Sequence, residues 1–248
     1  MAPLVAEALS EGGSAELRLA YQPIISLMGD NQENYSILVR LLDADQQLHE
    51  AKAFIGAASA TGRMGDIDRW VISRAIAEVG KHRANGHKFN FFVNIGEETL
   101  QDPELIIWIC DLLRDLDVRS SWLTFQFREE DAVRNLTAVS RLVGELKQIK
   151  CRVALSGCGQ LDAPQMLMQK LPLDFVLLAQ DFARDLAEDK AKQERLTLFA
   201  NQAQEVKVKS IVTGVEDAQA LTVLWTAGVD YVQGNFLQKP SLSIDKQG

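Results

Sequence analysis

The chain has 248 residues, 47% of them hydrophobic, which is enough for one large domain with a substantial core. Its net charge of −8 argues against a broad nucleic-acid surface, because such surfaces neutralise many phosphates with lysine and arginine. The three cysteines, Cys110, Cys151 and Cys158, are an odd number without C-x-x-C spacing, so we predict neither a disulfide framework nor a zinc site, and a cytoplasmic chain is favoured.

The first 14 residues are interpreted as a linker, or as a remnant added for expression, ahead of one domain over residues 15–248. The stretch EGGS at 11–14 is typical of a flexible connection. No later stretch reaches the roughly 18 apolar residues of a membrane span, so we expect no membrane insertion.

Short apolar segments rich in Val, Ile and Phe predict eight strands, with helical segments between most of them. In chain order they are RLAYQPIIS (18–26), YSILVRLL (35–42), FNFFVNI (89–95), WLTFQF (122–127), RVALSG (152–157), FVLLA (175–179), KSIVTG (209–214) and DYVQG (230–234). This alternation predicts an α/β fold, a modified (β/α)8 TIM-like barrel.

The first two predicted strands depart from a regular barrel. Only MGDNQEN at 28–34 separates them, which is too short for a crossover helix and predicts an antiparallel hairpin. Two helical stretches, 50–62 and 66–84, then both follow the second strand. We therefore expect one antiparallel strand in the barrel.

The carboxyl ends of the strands are where such a barrel holds its ligand. Amides and small residues outnumber carboxylates at these ends. The residues predicted there are Arg40, Asn94, Gln126, Ser156, Gly157, Leu177, Thr213, Glu216 and Gln233.

Six segments, in this order and spacing, resemble the EAL domain family over residues 17–241. They are YQPIISL (21–27), SILVR (36–40), DIDRWVI (66–72), FFVNI (91–95), TGVED (213–217) and YVQGNFLQKP (231–240). The resemblance implies the EAL form of the barrel, with its reversed first strand. It also implies chemistry, since active members hydrolyse the bacterial messenger cyclic di-GMP with two divalent metals.

The chain departs from the family where active members carry their catalytic groups. Those members have, in order, Glu, Glu, two Asp, Lys and Glu at the positions that are here Ser36, Gln126, Ser156, Gly157, Leu177 and Thr213. Only Asn94 of the hydrolytic set clearly remains. Because a two-metal site needs several carboxylates, we predict no catalytic residue, no bound metal and no cofactor.

The positions that line the family's nucleotide pocket are retained. By the resemblance, Arg40 contacts phosphate or guanine, and Asp68 and Glu216 accept hydrogen bonds from the two guanines. The implied cyclic di-GMP ligands are Gln22, Leu38, Arg40, Asp68, Asn94, Glu216, Gln233, Phe236, Gln238 and Pro240. Taken singly, each also fits a structural role; Asp68, for example, could be a helix-surface acid beside Arg69.

Retained binding positions and lost catalytic positions predict a metal-independent receptor for cyclic di-GMP that signals to a protein partner. The pattern resembles receptor domains of type IV pilus regulators of twitching motility, some of which dock a PilZ-type adaptor. Two alternatives stay open: a weakly active phosphodiesterase, and an interaction scaffold that has lost its ligand. We expect no DNA or RNA partner.

Overall fold

The computed structural model describes residues 1–10, 12–159 and 164–244. Glu11, which begins the EGGS stretch, and the last four residues of the predicted domain lie outside the described residues. The strands are β1 (Glu16–Ser26), β2 (Glu33–Leu42), β3 (Leu48–Glu50), β4 (Phe89–Asn94), β5 (Leu123–Arg128), β6 (Arg152–Cys158), β7 (Phe175–Leu178), β8 (Lys209–Val212) and β9 (Tyr231–Val232). The helices are α1 (Ala2–Ala8), α2 (Ala51–Ala60), α3 (Met64–Ala84), α4 (Glu97–Leu100), α5 (Leu105–Asp115), α6 (Glu129–Arg134), α7 (Leu136–Gln148), α8 (Pro164–Lys170), α9 (Lys190–Glu205) and α10 (Ala218–Thr226).

Across the described residues the nine strands form one sheet in the order β1-β9-β8-β7-β6-β5-β4-β2-β3, and β1 also pairs with β2, so the sheet closes into a barrel. β1 and β2 are antiparallel, from Glu16 opposite Leu42 to Ile24 opposite Asn34. From β2 through β4 to β9 the neighbouring barrel strands are parallel. The predicted barrel and its antiparallel strand are confirmed.

The strand β3 was not predicted. Its three residues pair antiparallel with the end of β2, where Glu50 lies opposite Arg40. The sequence LHE is too short to show an alternation of apolar and polar residues, so only the free edge of β2 makes it a strand.

Two clusters of buried side chains fill the molecule. On β4, Phe91 and Val93 pack with the surrounding helices, whereas the intervening Phe92 belongs to a separate cluster inside the barrel. This alternation follows from the period of two in a strand. The interior cluster consists of Ile24, Phe92, Ala154, Phe175, Leu177, Ile211 and Tyr231.

Residues 2–8 form α1, which contacts α2, and Val5 on this helix is fully buried in the main core. The proposed division of the chain at residue 15 stays a prediction. None of the described helices combines the length and the apolar character that a membrane crossing needs.

Candidate functional site

The predicted strand-end residues meet at one rim of the barrel. Asn94 on β4 lies opposite Gln126 on β5, and Arg128 on β5 lies opposite Ser156 on β6. Because β1 runs the other way, its start lies at the same rim, where Arg18 is opposite Arg40, and further along the strand Gln22 is opposite Ser36. The rim is therefore continuous from β1 to β6.

At this rim the polar groups of two strands bind each other. Gln126 Nε2 donates to Asn94 Oδ1 at 2.7 Å, so the retained Asn94 is engaged by the residue that replaces a family glutamate. In the described part of the chain, no three His, Cys, Asp or Glu side chains are grouped so that they could hold a metal ion. Amides and hydroxyls do not offset the charge of two divalent ions, and the residues present do not fit such a pair.

Side chains at the other strand ends also form hydrogen bonds or packing contacts within the barrel. Ser156 Oγ donates to the carbonyl of Phe127 at 3.2 Å, and Thr213 Oγ1 donates to the carbonyl of Leu178 at 2.8 Å. Leu177, which stands where active members have lysine, packs in the interior cluster. These side chains complete the barrel's own hydrogen bonds and packing.

A cavity of about 600 Å³ opens beside the ends of β2, β4 and β5. It brings together three predicted ligand positions, Leu38, Asp68 and Asn94, and gives them an apolar wall. That wall includes Ile37, Val39, Ile55, Met64, Ile67 and Val71. Charged side chains, among them Glu97, Glu98 and Asp131, also line the cavity. A cavity that combines an apolar wall with polar groups is typical of a small-molecule site.

Two arginines on the cavity wall, Arg128 and Arg134, were missed in the sequence. Arg128 closes β5 two residues after Gln126, so its place at a strand end was the available signal. Arg134 pairs with Asp131 at 2.5 Å and with Glu97 at 3.5 Å.

Asp68 is buried, with 6% of its surface exposed, so the helix-surface alternative does not hold. Its Oδ2 accepts hydrogen bonds from Gly96 N and Thr99 Oγ1, both at 2.7 Å, which ties α3 to the start of α4. Burial raises the pKa of Asp68 from its usual 3.8 to about 6. The hydrogen bonds from Thr99 and Gly96 lower this pKa, whereas the charge of the nearby Glu98 raises it. No described residue donates to Oδ1, which leaves one carboxylate oxygen for a ligand.

Arg40 lies on β2, two residues after Leu38 and on the same face of the strand. Its Nη1 donates to the carbonyl of Val39 at 3.0 Å, and the side chain is half-buried. Arg40 forms no ion pair with any described residue. The negative charge of Glu50, opposite Arg40 on β3, acts on it from a longer distance. Burial lowers the pKa of the Arg40 guanidinium from its usual value. Most of its donors are therefore free for an anion or a base edge.

A second group of predicted positions lies where β1 meets the segment after β9. Gln22 Nε2 donates to the carbonyl of Gln238 at 3.1 Å and to Asn235 Oδ1 at 3.3 Å. Tyr21 and Ser241 exchange two backbone hydrogen bonds, at 2.7 and 3.0 Å. Segment 233–241 therefore runs along β1, and we call this junction the seam.

The seam also fixes the loop that carries Glu216. Val215 N donates to the carbonyl of Gln233 at 3.1 Å, and Phe236 N donates to the carbonyl of Val215 at 3.2 Å. Gly234 permits this contact, because a Cβ there would lie 2.0 Å from the Val215 carbonyl oxygen. Glu216 is exposed, without a hydrogen bond or ion pair to any described residue, and Phe236 is 48% exposed.

The ten predicted positions thus fall into two groups. Leu38, Asp68 and Asn94 line the cavity, whereas Gln22, Glu216, Gln233, Phe236, Gln238 and Pro240 belong to the seam and its loops. Arg40 stands on β2, the strand that pairs with β1 and so connects the groups.

The end of β6 is held by an acid whose role was missed in the sequence. Glu129, buried at the start of α6, accepts a hydrogen bond through Oε2 from Gly159 N at 3.2 Å. Gly157 and Gly159 have φ angles of 71° and 92°, in the region that favours glycine. Glu129 therefore fixes a turn that only small, flexible residues adopt readily.

Comparison with known proteins identifies the family. The family model "EAL domain" matches residues 5–240. A crystal structure of a FimX EAL domain has 36% sequence identity and a TM-score of 0.92, covering 100% of this chain and 98% of that one. The FimX EAL domain from Pseudomonas aeruginosa bound to c-di-GMP has 34% identity and a TM-score of 0.91, over 98% of this chain and 97% of that one.

Curated relatives are more distant and much longer. The signaling protein YkoW of Bacillus subtilis is 25% identical over 90% of this chain and 28% of its own length. The cyclic di-GMP phosphodiesterase PdeF of Escherichia coli is 22% identical over 92% of this chain and 30% of its own length. This chain thus spans less than a third of each of these two relatives. From the family match over almost all of its length, the chain belongs to the EAL domain family and is similar to FimX EAL domains.

Proposed function

We propose that this domain binds cyclic di-GMP without hydrolysing it and passes the signal to a protein partner. The observation that carries the proposal is a contrast between two sets of residues. The strand ends, where metal ligands would be needed, hold the Gln126–Asn94 pair, whereas Arg40 and Glu216 remain without ion pairs to described residues. The P. aeruginosa FimX EAL domain, described as bound to c-di-GMP, supports the choice of ligand.

Recognition follows from the donors and acceptors that remain available. Arg40 can make charge-assisted hydrogen bonds to a phosphate or to the O6/N7 edge of guanine. The exposed Glu216 carboxylate can accept from guanine N1–H and the exocyclic amine at once. Asp68 offers only Oδ1, because Oδ2 is held by Gly96 and Thr99, so we infer one contact from it.

Hydrolysis needs an activated water, which in a two-metal site is supplied by the metal ions. Here the residues that replace the family's acids and lysine are neutral, and Thr213 and Ser156 already donate their hydroxyl hydrogens to backbone carbonyls. None of these groups takes a proton from water at neutral pH. We therefore infer that the bound phosphodiester stays intact, and that binding is independent of metal and of any cofactor.

The test is calorimetric titration of the domain with cyclic di-GMP, with and without EDTA, together with chromatography of a mixture incubated with Mn²⁺. We expect the affinity to be unchanged by EDTA and no linear pGpG above the buffer control. An active EAL phosphodiesterase serves as the positive control. Steady pGpG formation would favour a weak enzyme, and absence of binding would favour a ligand-free scaffold; either result contradicts the proposal.

For the partner we propose a PilZ-type adaptor, acting in the cytoplasm in type IV pilus biogenesis and twitching motility. The similarity to FimX EAL domains over the whole chain supports this choice. The test is co-purification of the domain with the PilZ-type proteins of the source organism, with and without cyclic di-GMP. If none binds under either condition, the partner proposal is wrong.

A further inference from the structure

The barrel end opposite the candidate site carries an unusual set of charges. Arg83 lies near the end of α3, Arg119 and Trp122 precede β5, and Arg152 is the first residue of β6. All four stand at the amino ends of neighbouring strands. We call Arg83, Arg119 and Arg152 the arginine cluster.

The cluster is organised around Trp122. The guanidinium carbon of Arg83 lies 4.7 Å from the centre of the Trp122 ring, and that of Arg119 lies 5.9 Å from it. Arg83 also donates to the carbonyl of Phe89 and to Asn90 Oδ1, each at 3.0 Å. Arg83 is therefore fixed, and two cations lie close to the Trp122 ring.

None of the three arginines forms an ion pair with a described residue. Burial, and then the positive charges of Arg152 and Arg119, lower the pKa of Arg83, which agrees with the closeness of the cations. In a chain of net charge −8, such a patch is an exception.

Two acids on the same end of the barrel are engaged elsewhere. Asp30 accepts from Tyr231 Oη at 2.5 Å, and Asp230 pairs with Lys209 at 2.6 Å, both on the side of β8 and β9. Arg152 donates to the neutral Gln32 at 3.0 Å instead of to an acid. The three arginines therefore have no ion-pair partner among the described residues, and the acid of this end that lies near β4 is the exposed Glu33, opposite Phe89.

The basic surface continues into a shallow groove of about 490 Å³, which Arg119 lines together with Lys150, Ser120 and Ser121. Helices α5 and α7 both end at this groove. Their chains turn there through Asp117 and Lys150, whose φ angles are 50° and 65°. Of the other charged residues in the groove, Arg114 pairs with Asp111 at 2.9 Å and with Asp115 at 3.3 Å, and Asp117 is an acid without an ion pair to a described residue.

We propose that this basic surface, formed by Arg83, Arg119, Lys150 and Arg152, binds an extended acidic segment of a protein partner. Guanidinium groups pair well with carboxylates, and cations spread along a groove match several carboxylates in a row. Compact phosphates favour helix amino ends, whereas α5 and α7 present carboxyl ends here. The surface lies apart from the nucleotide site, so this inference does not depend on the proposed function.

The test uses fluorescence anisotropy of a fluorescein-labelled octaglutamate peptide with the whole chain at low salt. The double variant Arg119→Glu/Arg152→Glu should bind the peptide at least roughly tenfold more weakly, because it replaces attraction with repulsion. Arg83 is left in place, since its bonds to Phe89 and Asn90 support the fold. Circular dichroism and thermal unfolding verify that the variant is folded.

The matched control is Arg141→Glu/Lys190→Glu, which reverses two exposed cations that have no ion pair to a described residue. It changes the net charge equally, and we expect it to retain most of the peptide affinity. Equal losses in the two double variants, or no peptide binding by the parent, would overturn the proposal. So would displacement of the peptide by cyclic di-GMP, or tighter binding of an RNA oligomer of equal charge through the same residues.

Discussion

Replacing the buried Asp68 by asparagine should make the stability of the domain less dependent on pH. Asp68 places a carboxylate in a site with 6% exposure, where Oδ2 accepts from Gly96 and Thr99. Asparagine keeps an oxygen acceptor of similar size at this position but cannot ionise. The substitution therefore removes the charge while retaining the contacts between α3 and α4.

The size of the effect follows from the raised pKa. In the unfolded chain Asp68 titrates near 3.8, and in the folded protein near 6, so the folded state holds its proton more tightly. The resulting stabilisation is fully present below pH 3.8 and is lost as the pH rises through 6. Each unit of difference between the folded and unfolded pKa values corresponds to about 1.4 kcal/mol, so the free energy of unfolding of the parent falls by about 3 kcal/mol over the whole titration.

The assay is urea unfolding of the parent and Asp68→Asn at intervals from pH 4 to 8. The free energy of unfolding of the variant minus that of the parent should rise by about 2.4 kcal/mol from pH 4 to 7, because part of the stabilisation is already lost at pH 4, and then level off. Asp66→Asn is the matched control, because Asp66 is exposed on the same helix and, among the described residues, pairs only with Arg63, at 3.0 Å. That control should differ from the parent by under about 1 kcal/mol at every pH.

A constant difference between Asp68→Asn and the parent would refute this reasoning. If the unfolding free energy of the variant minus that of the parent fell with rising pH, the pKa of Asp68 would be lowered by folding and not raised. The hydrogen bonds from Gly96 and Thr99 would then stabilise the ionised carboxylate more than burial destabilises it.

Three further outcomes test the candidate site. Arg40→Ala should weaken cyclic di-GMP binding by about 10- to 100-fold in calorimetry, the range for a lost charge-assisted hydrogen bond, whereas Arg141→Ala, at an exposed position on α7, should not; equal affinities would remove Arg40 from the site. Glu216→Ala should weaken binding similarly, and the parent should discriminate strongly against cyclic di-AMP, whose adenine lacks the matching donors; equal competition by the two nucleotides would contradict this role. Gly234→Ala should weaken binding and lower the melting temperature, because its Cβ would lie 2.0 Å from a carbonyl oxygen, whereas Gly144→Ala, with nothing within 4 Å, should do neither; unchanged binding by Gly234→Ala would show that the seam does not shape the site.

The barrel could be predicted because its strands have strong local patterns. Segments such as FNFFVNI carry their own β preference, and the short connection at 28–34 leaves an antiparallel hairpin as the simple solution. β3 could not be predicted, because its three residues are a strand only through pairing with β2.

For the site, the sequence predicted which residues stand at the strand ends but not what they contact. The bond between Gln126 and Asn94 depends on the register of β4 against β5, which no local pattern determines. The burial of Asp68 depends on Gly96 and Thr99, 28 and 31 positions away. A polar residue's environment is set by distant parts of the chain, so its role was open until the fold was known.

The seam has a further consequence for how the domain reaches its native state. The contact between Gln22 and Asn235 joins residues 213 positions apart, and β1 and β9 pair through only two pairs of residues. Closing so large a loop loses chain entropy before many contacts compensate for it, so we expect barrel closure to be a late, slow step. A small molecule bound by both Arg40 and Glu216 would make both contacts only when the barrel is closed. Its binding would therefore stabilise the closed barrel, and more so as its concentration rises. Ligand binding would then lower the fraction of molecules in which the barrel is open at the seam. Such a change in population can act as a signal without any chemical step.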